Sequence, residues 1–105
     1  MEATENHGAL FRAKVNQETA QIAWKELQRY FASGAALAVA ADLDLVEVSY
    51  QMSQDNAAQI QQWMATGRFG KVSDEQAKVW LAADEILWAV VVSPWVLVQP
   101  LRKLQ

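Results

Sequence analysis

Acidic side chains are the residues of this chain whose types and spacing could support chemistry. Asp42, Asp44 and Glu47 lie close together in the sequence, and Asp55 follows next to Asn56. Carboxylates can bind a divalent cation, and a closely spaced pair can share a proton. Because the group follows a predicted strand, where α/β proteins often bind ligands, these five residues are the candidates for a ligand site.

The same residues also have a structural explanation. Asp44 precedes Glu47 by the spacing of a helix-capping box, and Asp42 suits a turn. Glu47 and Asp55 would lie two helical turns apart, about 12 Å, which is too far for them to chelate one ion alone. We therefore assign no catalytic, metal-binding or cofactor-binding residue, and we expect no cofactor.

Other residue types offer little further chemistry. The chain has no cysteine, and its single histidine, His7, lies near the N-terminus without other ligands at a metal-binding spacing. Ser93 lacks the Gly-x-Ser-x-Gly context of an activated serine. Gly67 and Gly70 fit no phosphate-binding pattern.

Charge and hydropathy argue against two classes of partner. The net charge is −3, and Arg102 and Lys103 are the nearest approach to a basic block. Because phosphate contacts dominate nucleic-acid affinity, we expect no nucleic-acid binding. The most apolar run, residues 86–98, is shorter than the ~20 residues of a membrane span, and no signal peptide is visible at the N-terminus. We expect no membrane partner and a cytoplasmic location.

The chain is organised around the apolar run 86–98, whose β-branched and aromatic side chains favour buried strands. Its 105 residues suffice for one domain, with flexible tails at about 1–8 and 100–105. Apolar periodicity predicts helices at about 9–15, 21–32, 45–66 and 74–83. Strands are predicted at 35–41, 86–92 and 95–99. The expected fold is α+β, a single compact domain whose helices pack on a small, about three-stranded mixed sheet.

Two places in this pattern leave the local structure open. Asn56 falls in the apolar stripe of the long predicted helix. Either that helix breaks near Asp55 and Asn56, or the Asn56 amide bonds across a packed interface, because a buried amide needs partners. Ser93 and Pro94 join the last two strands too tightly for a standard hairpin, so we expect a bent or bulged strand.

The last strand also predicts an interface between copies of the chain. The predicted helices cover too little of a three-stranded sheet, and an exposed apolar edge strand aggregates unless it is paired. We therefore expect a homodimer whose contact includes Trp95, Val96, Leu97 and Val98.

Several motifs of the chain resemble those of a known family. They are Trp24-x-x-Leu27, Leu43-Asp44-Leu45-Val46, Asp55-Asn56, Trp63, Gln76, Trp80 and the closing Val91-Val92-x-Pro94-Trp95-Val96-Leu97-Val98-Gln99. They span residues 22–99 and resemble a family of short bacterial proteins known as domain of unknown function 2288. The resemblance implies a bacterial, cytosolic, stand-alone domain, and it implies no activity, cofactor or site residue.

Two functions from different classes are compatible with these features. The favoured one is a non-catalytic, homodimeric interaction or regulatory module with an unidentified protein partner. The alternative is a small ligand-binding or divalent-metal-binding protein or enzyme that uses the acidic turn at 42–47. Binding of Mg²⁺ or a metabolite to the native state would raise the melting temperature in the second case.

Overall fold

The computed structural model describes residues 2–101, with side chains from Gly8 onward. The side chain of His7 and residues Arg102 and Lys103 therefore lie outside the described part. In order, the elements are α1 (Glu2–Glu18), β1 (Ala20–Ala23), a 3-10 helix (Trp24–Leu27), α2 (Gln28–Ala32), β2 (Ala36–Val39), α3 (Leu45–Ser53), α4 (Ala57–Ala65), β3 (Phe69–Lys71), α5 (Asp74–Ala82), β4 (Ile86–Val92) and β5 (Trp95–Pro100). Residues 2–8 of the expected N-terminal tail lie in α1, which starts at Glu2. β5 extends to Pro100, where the expected C-terminal tail begins.

The strands form one mixed sheet in the order β1-β4-β5-β2-β3. β2 runs parallel to β5, and every other neighbouring pair is antiparallel. The α+β fold is confirmed, but the sheet has five strands rather than about three. The sequence prediction missed β3, because a strand of three residues shows no clear two-residue periodicity. It also placed most of β1 and the 3-10 helix inside the helix predicted at 21–32, of which only α2 is an α-helix.

Helices cover both faces of the sheet, since successive side chains of a strand point to opposite sides. In β2, Leu37 and Val39 join the core under α1, α3 and α4, whereas Ala36 and Ala38 face the 3-10 helix, α2 and α5. Trp24 lies at the centre of that second core, fully buried, with its ring centroid 5.1 Å from that of Trp80.

The long helix predicted at 45–66 is two helices, so the first alternative for Asn56 is confirmed. α3 ends at Ser53, and Asn56 caps α4 by accepting a hydrogen bond from the Gln59 N–H. Between the helices, Asp55 adopts a left-handed conformation with φ 57°. The Asp55 and Asn56 N–H groups donate to the carbonyls of Met52 and Gln51, the bond pattern of a Schellman helix end.

The prediction of a bent or bulged strand at Ser93 and Pro94 is wrong. β4 and β5 form an antiparallel hairpin in which Val92 lies opposite Trp95. The Ser93-Pro94 peptide bond is cis, which is the arrangement of a type VI turn with proline at its third position.

The reason for expecting an interface at the last strand is also wrong. β5 lies inside the sheet between β4 and β2, so the chain itself buries Val96, Leu97 and Val98, and Leu97 is 0% exposed. The edge strands of the sheet are β1 and β3. Homodimerisation itself stays a prediction. None of the helices within residues 2–101 is long and apolar enough to span a lipid bilayer.

Candidate functional site

The acidic turn between β2 and α3 is engaged in local structure. Asp44 caps α3, and its Oδ1 accepts hydrogen bonds from the Val46 N–H at 2.9 Å and the Glu47 N–H at 3.3 Å. The Asp42 carboxylate forms a salt bridge with Arg68 at 3.3 Å. The capping role predicted for Asp44 is confirmed, and both carboxylates already have partners.

Glu47 faces α1 rather than the turn. Its carboxylate accepts from the Arg12 guanidinium at 3.1 Å and from the Gln51 side-chain amide at 2.7 Å. Arg12 also stacks over the ring of Tyr50 at 4.0 Å from the centroid, so a cation lies between an aromatic face and a carboxylate of α3. This contact ties the N-terminal helix to the rest of the fold.

The ligand candidates of the sequence prediction do not meet at one point. Asp42, Asp44 and Glu47 point to three different sets of partners, and Asp55 and Asn56 lie at the other end of α3. Within residues 8–101, no group of three or more His, Cys, Asp or Glu side chains is placed to hold a metal ion. The geometry therefore gives the acidic turn at 42–47 no support as a metal site.

A cleft of about 560 Å³ opens where the break between α3 and α4 faces the β4–β5 turn. α3 ends in a Schellman motif at Asp55, and Asp55 itself lines the cleft opposite the residues of the hairpin. Residues from both sides line this cleft: Met52, Ser53, Asp55, Ala57, Ile60, Gln61, Val92, Ser93 and Trp95.

The floor of the cleft is apolar. Met52, Ile60, Val92 and Trp95 are partly buried and pack against the core under α3 and α4, so the cleft is a surface extension of that core. Water in contact with such side chains is readily displaced by an apolar group. The floor can therefore hold a hydrocarbon or aromatic group of a ligand.

The rim of the cleft is polar and carries one ionisable side chain. Ser53 and Gln61 come from the two helices, and Ser93 comes from the turn. Among residues 8–101, Asp55 is the only acidic or basic residue in the lining. The Ser53 hydroxyl donates to the Tyr50 carbonyl at 2.7 Å. Asp55 is exposed to solvent.

Two smaller cavities have lining groups that are already bonded. One, of about 300 Å³, includes Gly67, Arg68 and Gly70, but the Gly67 and Arg68 N–H groups donate to carbonyls of α4 and cannot cradle a phosphate. The other, of about 260 Å³, includes Asp44 and Gln99. The buried Gln99 amide donates to the Ala40 and Leu43 carbonyls at 2.8 and 2.6 Å, which fixes the β2–α3 loop.

Sequence reasoning found one residue of the cleft as a ligand candidate, Asp55. It placed Trp95 in a dimer contact, and it gave Met52, Ile60 and Gln61 no role in a site. The sequence did contain one signal for the cleft, which is Trp95 directly after the Ser-Pro turn. A large aromatic side chain beside a turn is rarely covered on all sides, so it indicates a surface where a ligand can bind.

Comparisons with known proteins agree with this fold. The solved structure "NMR solution structure of PA1075 from Pseudomonas Aeruginosa" is 45% identical in sequence, with a TM-score of 0.79, covering 90% of this chain and 87% of that chain. No curated protein matches the chain significantly. The family described as "Protein of unknown function (DUF2288)" matches residues 10–100, and the chain belongs to that family.

Proposed function

We propose that this chain is a non-catalytic binding module, and that its ligand is a small organic molecule with an apolar group that enters the cleft. The observation that carries the proposal is the apolar floor, formed by Met52, Ile60, Val92 and Trp95, open to solvent within a volume of about 560 Å³. Pockets of roughly 300–1,000 Å³ with apolar walls and a few polar groups are typical of small-molecule sites.

The lining supports binding more directly than catalysis. Nucleophilic catalysis pairs a hydroxyl with a nearby base, and general acid–base catalysis needs a proton donor or acceptor beside the reacting group. The cleft offers the hydroxyls of Ser53 and Ser93 and the single carboxylate of Asp55. Met52 adds a flexible thioether that adapts to ligands of different shape.

The test is a titration of ¹⁵N-labelled protein with small apolar fragments, followed by backbone and indole N–H chemical shifts. We expect fragments to shift the signals of Met52, Ile60 and Trp95. Two variants sharpen the test, because Ala57 lines the cleft and its neighbour Ala58 does not, although both are exposed. Ala57→Phe fills the cleft and should weaken binding at least tenfold, on the order of a lost buried aromatic contact, whereas Ala58→Phe should bind like the wild type. Fragments that bind both variants equally, or no fragment binding at the cleft, would refute the proposal.

A second copy of the chain is a separate candidate partner, and one edge of the sheet favours it. β1 pairs with β4 only as far as Ala89, so Val90–Val92 has a strand on one side alone, and Val91 is 62% exposed. We propose that the chain forms a homodimer by pairing at this open edge instead of at β5. Native mass spectrometry of the wild type should then show twice the mass of one chain. The Val91→Lys variant should show the mass of a single chain. A single-chain mass of the wild type at micromolar concentration would contradict it.

A further inference from the structure

We infer that the cleft selects ligands that carry a positive charge beside the apolar group, and that Asp55 and Trp95 determine this specificity. The inference rests on the proposed function, since it names the chemical class of the ligand in the same cleft. The expected ligand is a primary amine or guanidine attached to a hydrocarbon or aromatic group.

Among the described side chains, Asp55 is the only charged group that lines the cleft. No Lys, Arg, His or other acidic residue within residues 8–101 lines it, so an anionic ligand would meet the Asp55 carboxylate without a basic group from that part of the chain. The three salt bridges within the described residues use Asp42, Glu47 and Asp84, and none uses Asp55. The basic side chains of these three salt bridges therefore do not neutralise the Asp55 carboxylate at the cleft.

The backbone conformation of Asp55 is one that favours glycine, so a carboxylate at this position calls for a separate explanation. Asp55 takes the left-handed position that follows a helix, where glycine fits without steric cost. The corresponding positions after α2 and α4 are glycines, Gly34 and Gly67. Asp84 takes this position after α5, but its carboxylate lies 3.9 Å from Lys25. Asp55 places a carboxylate beside an apolar cleft instead.

Trp95 supplies the second element of cation recognition. The face of an indole ring attracts ammonium and guanidinium groups more strongly than other aromatic rings do. Trp95 and Asp55 line the same cleft from opposite sides, one from the hairpin and one from the helix break.

The protein already uses this combination once. Arg12 lies 4.0 Å from the ring centroid of Tyr50 and 3.1 Å from a carboxylate oxygen of Glu47, so an aromatic face and a carboxylate together hold a cation. At the cleft, Trp95 and Asp55 offer the same pair of groups, and the apolar floor lies beside them.

The experiment compares three probes of similar size: 2-phenylethylamine, 2-phenylethanol and 3-phenylpropionate. Chemical-shift titrations at neutral pH give their dissociation constants for the wild type and for Asp55→Asn. Asparagine tolerates the left-handed conformation, so this variant keeps the fold while it removes the charge. The matched control is Asp84→Asn, which makes the same change at an equivalent backbone position outside the cleft.

We expect the amine to bind the wild type about tenfold more tightly than the alcohol, and the carboxylate to bind most weakly. Asp55→Asn should lower the affinity for the amine toward that of the alcohol and leave only the part of the preference that Trp95 supplies, and Asp84→Asn should leave all three constants unchanged. Equal binding of amine and alcohol to the wild type would overturn the charge selectivity while leaving the proposed function intact. Failure of all three probes to bind would overturn the proposed function itself.

Discussion

Asp55 and Asp84 occupy equivalent positions at the ends of two helices. Each is the first residue beyond the helix cap, with φ of 57° and 52°, and each begins the pair of hydrogen bonds that closes a Schellman motif. At the other two such helix ends, this position belongs to Gly34 and Gly67, with φ of 80° and 75°. Within residues 2–101, four helices therefore end in the same way, and two of these four ends carry a carboxylate.

We predict that Asp55→Gly and Asp84→Gly both stabilise the protein. Glycine adopts the left-handed conformation without the clash of a Cβ atom, so each variant should gain about 0.5–1 kcal/mol in the free energy of unfolding. Loss of the Lys25 pair at Asp84 matters little, because its partners are 61% and 69% exposed. Urea denaturation measures the change.

The two glycine variants should differ in ligand binding. Asp55→Gly removes the charge of the cleft, so it should lose the preference for 2-phenylethylamine while it becomes more stable. Asp84→Gly should keep that preference. If Asp55→Gly binds the amine as the wild type does, the Asp55 carboxylate does not contribute to specificity, and the substitution raises stability without a loss of binding.

Replacing a glycine at one of these helix ends gives the second prediction. A Cβ atom added at Gly67 would meet nothing within 4 Å, so the cost of Gly67→Ala is purely that of the left-handed backbone. We expect a loss of about 1 kcal/mol and a lower melting temperature. Gly70→Ala is the matched control, because it also has open space at Cβ and its φ is not in the left-handed region. Equal losses at both glycines would show that the helix end is not the cause.

The acidic turn gives the third prediction, which separates capping from metal binding. Asp44→Ala should cost about 1 kcal/mol, because the Val46 and Glu47 N–H groups lose their acceptor, whereas Asp44→Asn should keep most of the stability, since asparagine caps equally well. Thermal unfolding of the wild type should not change on addition of about 10 mM Mg²⁺. A Mg²⁺-dependent rise that Asp44→Asn abolishes would restore the metal site suggested by the sequence.

Local signals in the sequence located most of the elements. β4 spans the predicted residues 86–92, and β5 begins at the predicted Trp95. The glycines at 34 and 67 follow α2 and α4, as expected of residues that terminate helices. These features depend on residues within one or two turns of one another, which is why a single sequence can show them.

Pairings between distant residues were not visible in the same way. β5 is central because it pairs in parallel with β2, far back in the chain, and that pairing buries the side chains expected at an interface. The carboxylate of Glu47 is engaged by Arg12, which lies 35 residues away. The cleft likewise combines a helix break with a hairpin turn, so its floor could not be assembled from local periodicity.

Gln99 illustrates the same difficulty and gives the last prediction. Its side-chain amide donates to the Ala40 and Leu43 carbonyls, 59 and 56 residues away, and it is 7% exposed at the end of β5. Gln99→Met keeps the length of the side chain but removes the donor to the Leu43 carbonyl, whereas the Ala40 carbonyl still accepts from the Leu43 N–H at 3.1 Å. We expect a loss of about 1–2 kcal/mol, because a partly buried acceptor left unpaired costs roughly 1–3 kcal/mol and water can reach the adjacent cavity.

The loop that Gln99 holds should loosen as well, since Ala40 and Leu43 begin the segment that leads to α3. Amide hydrogen exchange should therefore accelerate at residues 40–46 in Gln99→Met and stay unchanged in the remote strand β1. Gln21→Met, on the exposed edge strand β1, is the control and should alter neither stability nor exchange. If Gln99→Met unfolds at the same urea concentration as Gln21→Met, the two hydrogen bonds contribute nothing to stability, and the β2–α3 loop must be fixed by its other contacts, which include the Asp42–Arg68 salt bridge and the packing of Leu43 and Leu45.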